Sequence, residues 1–215
     1  MTAHLHFLVS AGPTREYIDP VRFISNPSSG LMGFAVAEAV LAAGHSCTLV
    51  TGPVSLPDPP DVDVVRVVSA RDMKKAIMDR FAACDVLVMT AAVSDYRPVR
   101  KSEHKLHKTK PSLTLELERN PDIIREVSRI RTHQLIIGFA AETDQILDSA
   151  KRKLESKGMD MILANDIGLT DAGFECNDIM VNALFRDGRS DELGKISKQS
   201  LAAYIVAEAV KLIPA

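Results

Sequence analysis

The chain has 215 residues, 46% of them hydrophobic and 25% charged, with a net charge of −2. That balance excludes a disordered chain and a nucleic-acid binder working through a basic face, and the length suits one large domain, residues 1–215, better than two small ones. No apolar stretch of about 18 residues occurs, so no membrane span is expected.

The first short apolar run, Leu5 to Val9, leads through Ser10-Ala11-Gly12 into an overlong connection. The start, Met1 to His4, is too short and uncharged for a signal peptide. A helix begins near Gly30, with Phe34, Ala37, Val40 and Leu41 on one face and Gly44 where a C-terminal cap belongs. Cys47 to Thr51 is the second run. Met73, Ile77 and Phe81, spaced by four, mark the next helix. Asp85 to Met89 is the third run, and Tyr96 to Ser112 reads as a long, polar, lysine-rich loop. Leu113, Leu115 and Leu117 alternate with polar residues, as in a half-exposed strand. Asn120-Pro121 reads as a helix start, an N-cap followed by proline at the first helical position, with Ile124, Val127 and Ile130 on its apolar face.

Leu135 to Phe139 and Met161 to Ala164 are further runs. Between them Ile146, Ala150 and Leu154 mark a helix closed by Gly158. Ile179 to Phe185, followed by Asp187-Gly188, reads as a strand entering a hairpin. Leu201, Ile205, Ala209 and Leu212 make the last helix. Runs of about five apolar residues without alternation suit strands covered on both faces. The expected fold is therefore α/β, a mostly parallel sheet with helices on both faces and antiparallel strands added in the C-terminal part. Cys47 and Cys84 read as small core residues. With Cys176 they are too dispersed for a disulfide framework or a zinc site and fit a reducing cytoplasm.

The connection from Gly12 to Gly33 spans roughly twenty residues where a few are usual. In a doubly wound sheet it lies at the carboxyl ends of the strands, where ligands bind. Ser28, Ser29 and Gly30 open the following helix. Small residues there let backbone N–H groups face a phosphate, or they form an ordinary serine cap with glycines for close packing. The dinucleotide fingerprint is not met, and Thr51-Gly52-Pro53 brings no carboxylate for a ribose hydroxyl, which argues against a nicotinamide cofactor. Ala91 and Ala92 let a flat ligand approach the backbone, or simply pack; Asp95 suits a sugar hydroxyl, a metal-bound water or a turn. Lys105, Lys108 and Lys110 form either a solvated loop or a closure over phosphate. Lys153 and Lys157 share a helix face and suit polyphosphate oxygens, or form a surface pair.

Residues 10 to 30, SAGPTREYIDPVRFISNPSSG, resemble the signature of the phosphopantothenoylcysteine synthetase family. Ala91 to Tyr96, Asn120 to Ile123, Gly138 to Thr143 and Ala164 to Ile167 resemble its later motifs, in the same order. The resemblance implies a Rossmann-like fold with a flap, a homodimer, and a ligase of coenzyme A biosynthesis that joins 4′-phosphopantothenate to L-cysteine. Bacterial members use CTP with magnesium, eukaryotic ones ATP. The carboxylate attacks the nucleotide's α-phosphate, and the cysteine amine then displaces the nucleoside monophosphate. Carried over residue by residue, Asn26 holds the acyl-nucleotidylate and Arg22 lies near the phosphopantothenate phosphate. Ala91 and Ala92 meet nucleotide and substrate through their backbone, with Gly12 and Ser28 to Gly30 on the nucleotide. Asp95 contacts the nucleotide, and Lys105 closes over the intermediate. Asn120, Pro121, Asp122, Ile123 and Phe139 line the nucleotide pocket, and Lys153 and Lys157 contact the triphosphate.

Departures from the family pattern are Leu31 in place of a lysine, Met89 in place of a glycine, and His107 in place of a lysine. Many relatives carry an N-terminal flavin decarboxylase. The expectation here is a stand-alone synthetase, with a separate decarboxylase as pathway partner. A nicotinamide-dependent reductase and a non-catalytic nucleotide-binding relative are the alternatives.

Overall fold

A computed structural model of the protein describes residues 4–108, 111–142, 145–166 and 178–213. The strands are β1 (His6–Ala11), β2 (Arg15–Tyr17), β3 (Phe23–Ser25), β4 (Ser46–Thr51), β5 (Asp63–Arg66), β6 (Val86–Met89), β7 (Tyr96–Pro98), β8 (Leu117–Arg119), β9 (Leu135–Glu142), β10 (Met161–Asp166), β11 (Asp178–Phe185) and β12 (Ser190–Ser197). The helices are α1 (Leu31–Ala42), α2 (Ala70–Phe81), α3 (Ile123–Ile130), α4 (Ile146–Lys157) and α5 (Lys198–Leu212).

Eight strands form the central sheet in the order β12-β11-β10-β9-β6-β1-β4-β5. From β10 to β5 all neighbours are parallel, and β11 and β12 add antiparallel pairs at one edge. The α/β expectation holds, including the C-terminal antiparallel strands. Because side chains alternate along a strand, β1 sends Phe7 and Val9 to one face and Leu8 to the other. Phe7 and Val9 pack with Val88, Ile137 and residues of α1 and α5. Leu8 packs with Leu87, Ile136 and residues of α2, α3 and α4. Both faces are covered, which is why the strands read as unbroken apolar runs.

Strand order reverses between β1 and β6. After β1 the chain moves outward through β4 and β5, then returns to β6 on the other side of β1 and moves away through β9 and β10. The loops leaving β1 and β6 therefore part company, and a crevice opens between them at the carboxyl edge.

The structure departs from the sequence-based expectations in several places. The long connection after β1 holds the β2–β3 hairpin, stabilised by Tyr17 against Phe23 at 5.4 Å and by Arg15 over the Phe23 ring at 4.5 Å. The polar loop after β6 contains β7, paired antiparallel with β8. Only residue 117 of the alternating leucines lies in a strand, and Leu113 is 59% exposed. Helix α3 starts later than expected: its N-cap is Asp122, whose carboxylate accepts from Arg125 N at 3.2 Å. Its buried face is Ile123 and Val127, and Ile130 is 51% exposed.

Cys47 and Cys84 are buried core residues, and burial pushes both thiols up to about 12. Cys176 and Thr143 lie outside the described residues. Among those residues no helix is long and apolar enough to cross a membrane.

Candidate functional site

The crevice at the carboxyl edge is occupied by a cleft of two lobes. The first, about 430 Å³, is lined by Asn26 to Gly33, by Thr90 to Val93 after β6, and by Phe139 to Ala141, Asn165, Ile179 and Lys198. The second, about 510 Å³, is lined by Ser94, Tyr96, Arg119 to Ile124 and Lys157. Ala91, Val93, Asp95 and Phe139 line both lobes, so they form a shared wall.

Three local features build the first lobe. Helix α1 is capped by Gly30 in the left-handed region, φ 83, with no side-chain cap hydrogen bond. The serines before it do not close the helix end as an N-cap would. Ser29 Oγ reaches Leu31 N only at 3.5 Å. Uncapped N–H groups at a positive helix end attract an anion. Gly33 lets α1 sit hard against β1, since a Cβ there would meet Ala11 Cβ at 2.5 Å and Ser10 O at 2.9 Å. The loop after β6 is tied to the loop after β1 by Ala92 N to Gly12 O at 2.9 Å, by Thr14 N to Ala92 O at 3.3 Å, and by Thr90 Oγ1 to Ser10 O at 2.6 Å. Gly12 itself is not in the lining; it adopts φ 70 behind it.

Asn26 reaches across the lobe. Its Nδ2 donates to Ala92 O at 3.4 Å and Val93 O at 3.3 Å. Both contacts are long, and its Oδ1 is the atom left to accept from a ligand.

The second lobe has a rigid floor. Asn120 donates from Nδ2 to Ser94 O at 2.8 Å and from its backbone N–H to Asp95 O at 2.8 Å, and its Oδ1 accepts from Arg97 at 3.0 Å. Its side chain holds the loop after β6 in place instead of capping a helix, which is why the cap falls to Asp122. Lys157 pairs with Asp122 at 3.1 Å and lines this lobe. Lys153, one turn earlier, is not in the lining.

Each lobe also contains a buried polar atom without a hydrogen-bond partner, Asn165 Oδ1 in the first and Ser94 Oγ in the second. Native proteins rarely leave such atoms unsatisfied away from sites where a ligand or water completes them. Lys198, which lines the first lobe, was not singled out from sequence. A lone lysine after a serine cap looks like any solvated residue at a helix start.

Arg22 and Lys105 stand away from both lobes. Arg22 pairs with Asp19 at 3.0 Å and donates to Leu106 O, and Leu106 N donates to Asp19 at 3.1 Å. Desolvation works against the Asp19 carboxylate, but N–H donors from Val21, Leu106 and Arg22, with the Arg22 charge, hold it below its ordinary range. This cluster ties the β2–β3 hairpin to the segment that carries the exposed Lys105.

Residues 2–212 match the model of the DNA/pantothenate metabolism flavoprotein C-terminal domain. The chain belongs to this family. Within it, the chain is 41% identical over 208 residues to the coenzyme A biosynthesis bifunctional protein CoaBC of Bacillus subtilis, covering 96% of this chain and 51% of that protein. It is 42% identical over 204 residues to CoaBC of Vibrio vulnificus, covering 94% of this chain and 51% of that protein. The chain thus spans about half the length of the curated relatives it matches. A crystal structure of the C-terminal domain of CoaBC superposes with a TM-score of 0.83 at 38% identity, covering 99% of this chain and 98% of that one. The family's C-terminal domain and this chain therefore share one architecture from end to end, and the cleft lies within the matched residues.

Proposed function

We propose that this chain is a phosphopantothenate–cysteine ligase that works through an acyl-nucleotidylate, with CTP as its nucleotide. The observation that carries this reading is the shared wall. A lobe suited to an acylated, phosphorylated ligand lies beside Asn26 and one suited to a nucleotide beside Asn120, Asp122 and Lys157; Ala91, Val93, Asp95 and Phe139 face both, and Ala92 faces the first, which supports two substrates meeting there.

The chemistry asks for charge neutralisation and exclusion of water, not for a nucleophilic side chain. A carboxylate oxygen of phosphopantothenate bonds to the α-phosphorus as the bond to the β-phosphate oxygen breaks, releasing pyrophosphate. The amine of cysteine then bonds to the acyl carbon as the carbon–oxygen bond to CMP breaks, and the amine's proton passes to solvent. Like charges meet in the first step, so Lys157 and the uncapped start of α1 supply the positive potential that step requires. Magnesium enters with the triphosphate as part of the substrate. It retains waters and phosphate oxygens and needs only one or two carboxylates. Asp95, exposed on the shared wall, and Asp122, which Arg125 N and Lys157 hold beside it in the second lobe, are the carboxylates that would take the ion. Lys105, on the segment tethered through Asp19 and Arg22, closes over the intermediate and excludes water.

A homodimer belongs to the same proposal. Val21, Phe23, Val99 and Leu117 are exposed apolar residues on or beside the two hairpins, and these are the surface a second copy would cover. A decarboxylase acts as a partner, fused or separate. The test is turnover: magnesium, CTP, phosphopantothenate and cysteine should yield CMP and pyrophosphate, with ATP poorer in a parallel assay. Absence of any nucleoside monophosphate would refute the ligase reading, and equal use of ATP would refute the choice of CTP.

A further inference from the structure

We infer that Ser94 is a specificity-determining residue of the second lobe, its hydroxyl completed by the sugar or base of the bound nucleotide. Ser94 lies in the loop after β6, lines that lobe and is 3% exposed. Both of its backbone groups are engaged. Its N–H donates to Thr14 Oγ1 at 3.0 Å, and its carbonyl accepts from Asn120 Nδ2 at 2.8 Å. Thr14 is fully buried and donates in turn from its N–H to Ala92 O at 3.3 Å. The loop is thus pinned from two sides, and Ser94 cannot withdraw from the wall.

The hydroxyl is treated differently. Ser94 Oγ is buried and has no hydrogen-bond partner among the described residues. A serine hydroxyl has one proton to give and two lone pairs, and it turns about a single side-chain torsion, so a partner is normally easy to find. A buried hydroxyl left unmatched costs free energy that an alanine in its place would not. The free protein carries that cost at a residue facing the cleft, and a ligand group that meets Oγ relieves it. The neighbouring Asp95 and, further along the lobe, Asp122 are carboxylates. Phosphate enters beside carboxylates only with a cation between them. A sugar hydroxyl or a base nitrogen needs none, and it can donate to Asp95 while it meets Ser94. Naming the nucleotide rests on the ligase reading; the orphan hydroxyl does not.

The experiment compares the full chain with Ser94→Ala in two states. Without ligand, Ser94→Ala should resist urea at least as well as the parent, because it loses a hydroxyl that had no partner. A lower urea midpoint, or failure to fold, would show that protein or an ordered water already completes Oγ, and would overturn the proposal. With ligand, CTP should bind Ser94→Ala about tenfold more weakly, the usual loss for one hydrogen bond. Pyrophosphate and phosphopantothenate should stay within twofold. CTP affinity within twofold of the parent, or an equal loss for pyrophosphate, would overturn the proposal. The 2′-deoxy and 3′-deoxy forms of CTP then locate the contact. If the Ser94→Ala loss vanishes with one of them, that sugar hydroxyl is the partner; if it persists with both, the base is. A parent that binds CTP through Ser94 without forming CMP would refute the ligase reading and leave this contact standing. A parent that forms CMP while Ser94→Ala binds CTP unchanged would do the reverse.

Discussion

Replacing Gly33 by alanine tests how α1 is held over the cleft. The added Cβ would lie 2.5 Å from Ala11 Cβ, 2.7 Å from Thr90 Oγ1 and 2.9 Å from Ser10 O. Two of these atoms belong to the end of β1 and cannot swing aside. Alanine gains about 1 kcal/mol over glycine as a helix former. Overpacking of this kind costs about 1–3 kcal/mol. Displacing Thr90 also removes its hydrogen bond to Ser10 O, another loss of about 1 kcal/mol. The expected outcome is a net destabilisation of about 1–3 kcal/mol in urea unfolding, and weaker nucleotide binding as α1 backs away from β1. Gly44→Ala is the control. That site has φ 80 and nothing within 4 Å, so only backbone strain of about 1–2 kcal/mol applies. Nucleotide affinity should be unchanged there. A Gly33→Ala protein as stable as the parent, or a Gly44→Ala protein equally impaired in binding, would refute the reasoning.

Lys157→Met should raise KM for the nucleotide about tenfold through loss of a charge-assisted contact. It should change stability little, because its pair with Asp122 is about one-third exposed on both sides; an unchanged KM would remove it from the nucleotide lobe. Phe23→Asp should shift the protein from dimer to monomer in sedimentation, and a monomeric parent would contradict the proposed face. Acid should destabilise the fold partly through Glu208. Burial opposes its charge, but hydrogen bonds from Lys211 and Arg189 hold its carboxyl below the ordinary 4.5. A carboxyl lowered in the folded state contributes fully above its unfolded value and loses that contribution as pH falls through the folded one. The urea midpoint should therefore drop below about pH 4.5, and less steeply in Glu208→Gln; identical acid limbs in both proteins would contradict this.

The sheet was readable because each central strand is buried on both faces, so Leu135 to Phe139 or Asp85 to Met89 could hardly be anything else. The β2–β3 and β7–β8 hairpins were not readable, unlike β11–β12, which the Asp187-Gly188 turn announces. Arg15–Tyr17 and Tyr96–Pro98 are too short to show a period, and their pairing depends on partners distant in sequence. Asn120 shows the limit most clearly. Asn-Pro is a sound helix-start signal, but the asparagine side chain is committed to Ser94 O and Arg97, a tertiary contact with no local trace. Of the expected site residues, Asn26, Ser28 to Gly30, Ala91, Ala92, Asp95, Asn120 to Ile123, Phe139 and Lys157 line the cleft. Gly12, Arg22, Lys105 and Lys153 are not in its lining, and the Asp19 cluster holds the segments of Arg22 and Lys105 together away from it.

The central claim is that the acid is activated by transfer of its carboxylate to the α-phosphorus. Phosphopantothenate labelled with oxygen-18 in its carboxylate tests this directly, with mass spectrometry of the CMP formed in the presence of cysteine. The account predicts one labelled oxygen in each CMP. Unlabelled CMP, or label in orthophosphate alongside a nucleoside diphosphate, would contradict it.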